Sequence, residues 1–409
     1  MLSKLIIEQV IDSQQIRLNQ LDTGLKREIP DFSSLSSHAL IISGIRRCGK
    51  STLLHQINSI YKDHTLYLNF EDPRLAGFEI SDFNRLHEIV AEKKINTLFF
   101  DEIQNVEKWE NSIRFSLDEG HKVFITGSNA SMLSRELGTK LTGRHISREL
   151  FPFSYKEYLA FTNEFADAGS AGRYMQCGGF PERIKTGLSE VMMTVFNDIL
   201  FRDIALRYNI KNTSALQQLA VWLITNTGKR ISGNSLKKIF SIGSSSSIME
   251  YLSHLSDAYL FFFIPRFSYS QKVQVVNPKK VYAIDNGMIE ANSLSFSDDK
   301  GRLLENMVFI HLRRSSREIY YFADKKECDF VVFQKGRSPE LYQVAWQLNS
   351  DNLDREFAGL TEAMDFFSIK KGTIITHDQS DLYNINGKII TSVPFYKWAM
   401  MEKERGPER

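Results

Sequence analysis

Between His38 and Leu150, short unbroken apolar runs alternate with segments of helical period. The runs are Ala39–Ile42, Thr65–Phe70, Thr97–Phe100 and Val123–Thr126, and His145–Leu150 reads as a fifth strand. Helices are expected over Ser51–Tyr61, Asp82–Lys93, Val106–Glu119 and Ser131–Leu137. Leu53, Leu54, Ile57 and Ile60 line one face of the first of them. A strand that is apolar without alternation is buried on both faces. Strands separated by helices join through right-handed crossovers, so the pattern predicts an α/β core with a parallel five-stranded sheet.

Beyond this core the period is helical. Tyr155–Phe165, Gly172–Met175 and Glu190–Ala205 carry aromatic and aliphatic residues at helical spacing, which reads as core packing. Leu216, Leu219, Trp222 and Leu223 share the face of a further helix; Ser232–Ile239 is a short one. Ser244–Ser247 opens a third, with Ile248, Tyr251, Leu252 and Leu255 on it. Leu260–Ile264 and Phe267–Val276 are expected to form a hairpin, and three helices with a hairpin make the layout of a winged helix. The last third pairs an amphipathic helix, Gly301–Arg314, with strands at Ile319–Phe322, Cys328–Phe333 and Leu341–Trp346. Two more are expected near Thr373–Thr376 and Lys388–Val393. The expected domains are 1–150 (core with an N-terminal helix), 151–211 (helical lid), 212–275 (winged helix) and 276–409.

The length of 409 residues suits several domains, and 42% hydrophobic with 24% charged residues excludes disordered and fibrous classes. A net charge of +2 excludes a uniformly basic nucleic-acid coat. The charge is nevertheless uneven. Residues 212–275 carry Lys229, Arg230, Lys237, Lys238, Arg266 and Lys272 against Glu250 and Asp257, a local +4. That suits duplex DNA binding. The helix opened by Ser244–Ser247 has no Arg or Lys, however, so a pure packing role is an equal alternative. Cys48, Cys177 and Cys328 are too far apart for a disulfide framework or a zinc cluster. The longest apolar run, Ala258–Ile264, is too short to cross a bilayer, and Met1–Ile11 lacks an unbroken apolar signal region. A soluble cytoplasmic protein is expected.

The strongest chemical signal follows the first strand. Gly44-Ile45-Arg46-Arg47-Cys48-Gly49-Lys50-Ser51, with Thr52 next, matches GxxxxGK[ST] between a strand and a helix. Gly44 and Gly49 permit a backbone that aims N–H groups at phosphate oxygens, and the helix dipole adds to the attraction. Lys50 would reach the β- and γ-phosphates of ATP and Ser51 would ligate Mg2+. Arg46 and Arg47 are either solvated or in contact with phosphate or a partner. Asp101 and Glu102 end an apolar strand; Asp101 suits the Mg2+ shell, and Glu102 suits a general base for the attacking water. Ser128 or Asn129, at the end of the next strand, could orient that water. Arg144 could act as a finger on the γ-phosphate, in cis or from a neighbouring subunit of a homo-oligomer.

These motifs together resemble the AAA+ class of P-loop ATPases. The likeness is to prokaryotic proteins that join an AAA domain to a C-terminal domain of unknown function, related to the archaeal ATPases. It runs through Asn69–Arg74, the segment from Phe99 to Glu110, Leu150–Ser154, Gly178–Glu182 and the Val281–Met288 marker. The resemblance implies a sheet ordered 5-1-4-3-2, with Asp101 and Glu102 two strands from the phosphate loop, and a lid over the nucleotide. In the last domain, Glu305, Asp329 and Gln343 resemble the metal-binding core of a PD-(D/E)xK nuclease. The lysine of that motif is missing, an amide replaces a carboxylate, and Lys325 or Lys326 would have to substitute. An inactive scaffold is expected there, with His311 as a packing residue. The leading expectation is a Mg2+-dependent ATPase that couples nucleotide state to domain movement on DNA. A nucleotide-gated protein–protein switch is the alternative, and a metal-dependent nuclease a third reading.

Overall fold

A computed structural model describes residues 1–27, 37–61, 64–130, 141, 143–240, 245–294 and 299–401. It divides into two compact units, Met1–Phe151 with Asp257–Tyr259, and Pro152–Ser256 with Leu260–Arg409.

The first unit holds strands β1 (Ala39–Ser43), β2 (Thr65–Asn69), β3 (Thr97–Asp101), β4 (Lys122–Gly127) and β5 (His145–Glu149). They pair in parallel in the order β2-β3-β4-β1-β5, as the resemblance implies. Helices α1 (Lys4–Gln20), α2 (Lys50–Tyr61), α3 (Asp82–Glu92) and α4 (Trp109–Asp118) complete it. Successive strand residues face opposite sides, so each strand feeds two cores. Leu98, Phe100 and Ile125 pack with Ile7 and Val10 of α1 and Leu86 of α3. Leu40, Ile42, Phe99 and Phe124 pack with Leu53, Leu54 and Ile57 of α2. The Phe99 and Phe124 rings stack with centroids 4.8 Å apart. The helix expected at Ser131–Leu137 lies outside the described residues.

The second unit begins with helices Tyr155–Thr162, Ala168–Cys177, Pro181–Thr186 and Glu190–Asp198, the last continuing as a π-helix over Ile199–Leu206. Ser154 and Glu157 close a capping box at the first. Helices Thr213–Thr225, Gly233–Phe240 and Ser245–Asp257 follow, with a small antiparallel sheet ordered β6-β8-β7. Its strands are β6 (Arg230–Ile231), β7 (Phe261–Pro265) and β8 (Lys279–Ala283). The expected second hairpin strand is therefore corrected. Gln271–Val276 is a short helix with Val275 and Val276 exposed, and β8 is the partner of β7. The Phe-Ser-Tyr-Ser alternation imitated a strand, yet Tyr269 is exposed, with its ring against Phe267 and Phe366. The expected boundary at 275 cuts through this sheet.

Two distant sequence markers meet in this unit. Gly179 N–H donates to Asp285 Oδ2 at 2.6 Å, and Gly287 N–H to Asp285 Oδ1 at 2.9 Å. A Cβ at Gly178, whose φ is +71°, would stand 1.9 Å from Asp285 Oδ1. The glycines are there because the backbone and the carboxylate approach so closely.

Helix Lys300–Arg313 then precedes a mixed sheet ordered β13-β14-β12-β11-β10-β9, with helix Leu353–Phe366 packed against it. Its strands are β9 (Ile319–Ala323), β10 (Glu327–Val332), β11 (Glu340–Val344), β12 (Lys371–Thr376), β13 (Asp381–Ile385) and β14 (Lys388–Pro394). Helix Leu353–Phe366 and β13 were not anticipated. His311 packs on Trp398, ring centroids 4.5 Å apart. Among the described residues, no helix is long and apolar enough to cross a membrane.

Candidate nucleotide-binding and hydrolysis site

The phosphate loop leaves β1 at Ser43 and enters α2 at Lys50. Gly44 is forced by packing: a Cβ there would stand 2.2 Å from the Leu150 carbonyl oxygen. Gly49 is forced by conformation, with φ +101°. Arg47 also adopts a left-handed φ of 61°. Ile45 and Cys48 are buried beneath the loop, while Ser51 and Thr52 are exposed on the first turn of α2. Arg27, itself buried, braces the loop by donating to the carbonyls of Cys48 (3.1 Å) and Phe151 (2.8 Å). Arg46 pairs with Glu71 at 3.2 Å.

Lys50 is buried, with Nζ 3.2 Å from the Ile45 carbonyl and 3.4 Å from Glu102 Oε1. Burial alone would lower its pKa; the carboxylates of Glu102 and Asp101 outweigh that and hold it above its ordinary value. Burial likewise pushes the Glu102 carboxyl up, but Lys50 and the Gln104 amide bring it below the usual range. Glu102 adopts a left-handed φ of 52° directly after β3, and its N–H donates to Thr126 Oγ1 at 3.0 Å.

Asp101 is fully buried, and both carboxylate oxygens are engaged. Oδ1 accepts from Thr126 Oγ1, and Oδ2 accepts from Tyr67 OH (2.7 Å) and Asn69 Nδ2 (3.2 Å). Burial and the adjacent Glu102 charge raise its pKa against those donors and the Ser51 hydroxyl. The Ser51 hydroxyl is near enough to lower the Asp101 pKa, and a hydroxyl with a carboxylate is the hard oxygen donor set that suits Mg2+.

Ser128 and Asn129 are buried at the end of β4, and Ser128 Oγ accepts from Gln104 Nε2 at 3.2 Å. The structure therefore gathers the loop, Asp101, Glu102, Ser128 and Asn129 at one end of the sheet. Arg144 is not among them. Its carbonyl accepts from Ala39 N–H at the start of β1, and its guanidinium binds Asp118 and, at 3.2 Å, the Leu117 carbonyl. The length of β1, about 13 Å at ~3.3 Å per residue, separates that end from the loop. Arg144 is not placed for the nucleotide of its own chain.

Residues 36–159 match the family described as an AAA domain, and residues 170–299 match a domain of unknown function, DUF8612. The uncharacterized protein MJ1544 of Methanocaldococcus jannaschii is 34% identical over 97% of this chain and 96% of its own. The chain belongs to this family of AAA-domain proteins. An uncharacterized protein of Haemophilus influenzae is 30% identical over 76% of this chain and 85% of its own length. Among solved structures, AMPPCP-bound DnaA from Aquifex aeolicus is similar at 14% identity, covering 60% of this chain and 86% of that one, with a TM-score of 0.29. Cdc6p from Pyrobaculum aerophilum is similar at 14% identity, covering 73% of this chain and 95% of that one, TM-score 0.27.

Sequence reasoning missed Tyr67, Thr126, Gln104 and Arg27, which hold the site together. Tyr67 and Asn69 are two apart on β2 and so face the same side, a signal that could have paired them with Asp101.

The nuclease-like carboxylates have a different partner from the one expected. Lys280 Nζ, on β8, lies 2.9 Å from Glu305 Oε1, 2.6 Å from Glu327 Oε1 and 2.8 Å from Asp329 Oδ1. Gln343 Oε1 accepts from Asp329 N–H, and its amide nitrogen donates to Glu356 at 2.7 Å. An ammonium thus stands among the carboxylates where a nuclease needs a metal ion. Among the described residues, no group of three or more Asp, Glu, His or Cys side chains is arranged to hold a metal.

Proposed function

We propose that the protein is a Mg2+-dependent ATPase that couples nucleotide state to movement of its second unit, acting on duplex DNA. The observation that carries the hydrolytic part is the meeting of Lys50, Ser51, Asp101 and Glu102 at one sheet end. Ser51 and Asp101 would hold Mg2+, which supplies charge neutralisation at the β- and γ-phosphates. Lys50 binds the phosphates, and Glu102 takes a proton from the attacking water. Arg144, at the far end of the strands, would serve the nucleotide of a neighbouring subunit in a homo-oligomer.

The DNA part rests on residues 212–283. Three helices and a sheet ordered β6-β8-β7 support a winged-helix reading. Lys229, Lys237, Lys238 and Lys272 are exposed and available to phosphates. Arg230 favours the alternative, a nucleotide-gated protein–protein switch, because its guanidinium is bound to Glu327 and lies over the Tyr321 ring. The Lys280 cluster serves as a structural centre rather than a nuclease.

The test is steady-state Mg-ATP hydrolysis by the full chain with and without duplex DNA at low and moderate salt. Stimulation that fades as salt rises supports the DNA-coupled reading. Hydrolysis indifferent to DNA supports the protein switch, and a chain that neither binds nor hydrolyses Mg-ATP overturns both.

A further inference from the structure

We propose that Gln104 orients the attacking water: its amide nitrogen ties Glu102 to Ser128, and its carbonyl oxygen is a second acceptor beside the Glu102 carboxylate. The proposal rests on the ATPase reading above.

Gln104 lies on the single 3-10 turn Ile103–Asn105 that follows β3. Its Nε2 donates to Glu102 Oε2 and to Ser128 Oγ, the latter at 3.2 Å. An amide nitrogen carries two hydrogens, so both are engaged. The amide cannot be turned round, because its oxygen would then face a carboxylate oxygen. The Gln104 Oε1 atom is buried and has no hydrogen-bond partner among the described residues. An unpaired buried acceptor is costly, and such atoms are rare in folded proteins. Gln104 Oε1 is one of eight such polar atoms among the described residues, and the one that lies beside Glu102; the attacking water would supply its donor.

Water has two hydrogens to place. Glu102 accepts the one that leaves as a proton. An acceptor for the other holds the oxygen lone pair toward the γ-phosphorus. In that step the water oxygen bonds to phosphorus as the bond from phosphorus to the β–γ bridging oxygen breaks. The electron pair of the broken bond leaves with ADP. The proton passes to Glu102 and from there to the released phosphate. Gln104 transfers nothing; it fixes direction. Ser128 acquires a role through the same amide, which anchors the end of β4 to the base at the end of β3.

The experiment compares wild type, Gln104→Met, Glu102→Gln and the double variant, all as full chains. A fluorescent ATP analogue reads binding, single-turnover ATP hydrolysis reads chemistry, and thermal melting reads folding. Gln104→Met keeps the side-chain length and removes the amide. It is expected to leave the Kd within about threefold and to slow the chemical step on the order of 10- to 100-fold. The double variant is expected to be no slower than Glu102→Gln alone, since both residues act on one water. Wild-type turnover in Gln104→Met, or losses that multiply in the double variant, overturns the proposal and leaves the ATPase reading intact. Should Gln104→Met melt early, Gln104→Ala takes its place under the same criteria. A wild-type chain that binds nucleotide without hydrolysing it overturns the proposal and the ATPase reading together.

Discussion

Lys50 Nζ lies 3.4 Å from Glu102 Oε1, so the lysine at the head of α2 and the carboxylate that follows β3 are each other's charge partner. The pair is buried, and each member compensates the other's loss of hydration. Phosphate oxygens entering the loop would compete with Glu102 for the ammonium and release the carboxylate toward water.

That competition separates two substitutions. Glu102→Gln is expected to keep Mg-ATP binding while turnover falls on the order of 10²- to 10⁴-fold, because the base is lost and the phosphate contacts stay. Lys50→Ala is expected to abolish tight binding. Turnover unchanged in Glu102→Gln would assign the base to another residue.

Arg144 is separated from its own loop by the length of β1. Arg144→Ala is expected to slow hydrolysis more than binding. Mixing it with Lys50→Ala, itself inactive, should restore activity above that of either alone. Turnover in the mixture that merely averages the two would mean that Arg144 serves only to hold Asp118.

Lys280 holds Glu305, Glu327 and Asp329 around one buried ammonium. Removing one partner of such a cluster leaves buried charge uncompensated. Lys280→Met is therefore expected to destabilise the second unit by about 3–5 kcal/mol in urea unfolding followed by tryptophan fluorescence. A loss below about 1 kcal/mol would show that the carboxylates have other compensation.

Asp285 gives a pH dependence with a definite sign. Burial raises its carboxyl to about 6, against the Gly179, Gly287 and Met288 N–H groups and the Arg314 charge, while the Cys177 sulfur also lies nearby. Unfolded, an aspartate titrates near ~3.9. Between those values the folded chain binds more protons than the unfolded one, so this group's contribution falls as pH rises from about 4 to about 6 and is level above. The change is on the order of 2–3 kcal/mol at 1.36 kcal/mol per pKa unit. Urea midpoints at pH 4.5 and 7 would measure it, and Asp285→Asn should remove that component of the slope. An unaltered slope in the variant would assign it to another group.

Much of the first unit was legible. The runs at Ala39–Ile42 and Thr97–Phe100 need only their own apolarity to declare strands buried on both faces. The Gly44–Ser51 loop needs only its spacing. Elsewhere local pattern misled. Phe267–Tyr269 alternated like a strand, yet β7 took β8 as its partner, because Val281 and Ala283 are wholly buried on β8 whereas Val275 and Val276 remain exposed. The sequence offers Lys325 or Lys326 beside Asp329, whereas the lysine that meets these carboxylates is Lys280 of β8, 49 residues from Asp329.

The sequence by itself determined the chemistry that is written in contiguous residues: the phosphate loop, the acidic pair at the end of β3, and the alternation that makes a parallel sheet. These follow from local backbone freedom and hydrophobic period, which a linear chain displays directly. Only the tertiary structure decided which side chains complete one another. Gln104 joins Glu102 to Ser128, Tyr67 and Thr126 close around Asp101, Lys280 meets three carboxylates, and Arg144 turns away from its own loop. Those relations depend on strand order, register and the direction in which each side chain leaves the backbone, and groups far apart in the chain become neighbours only once the sheets have formed.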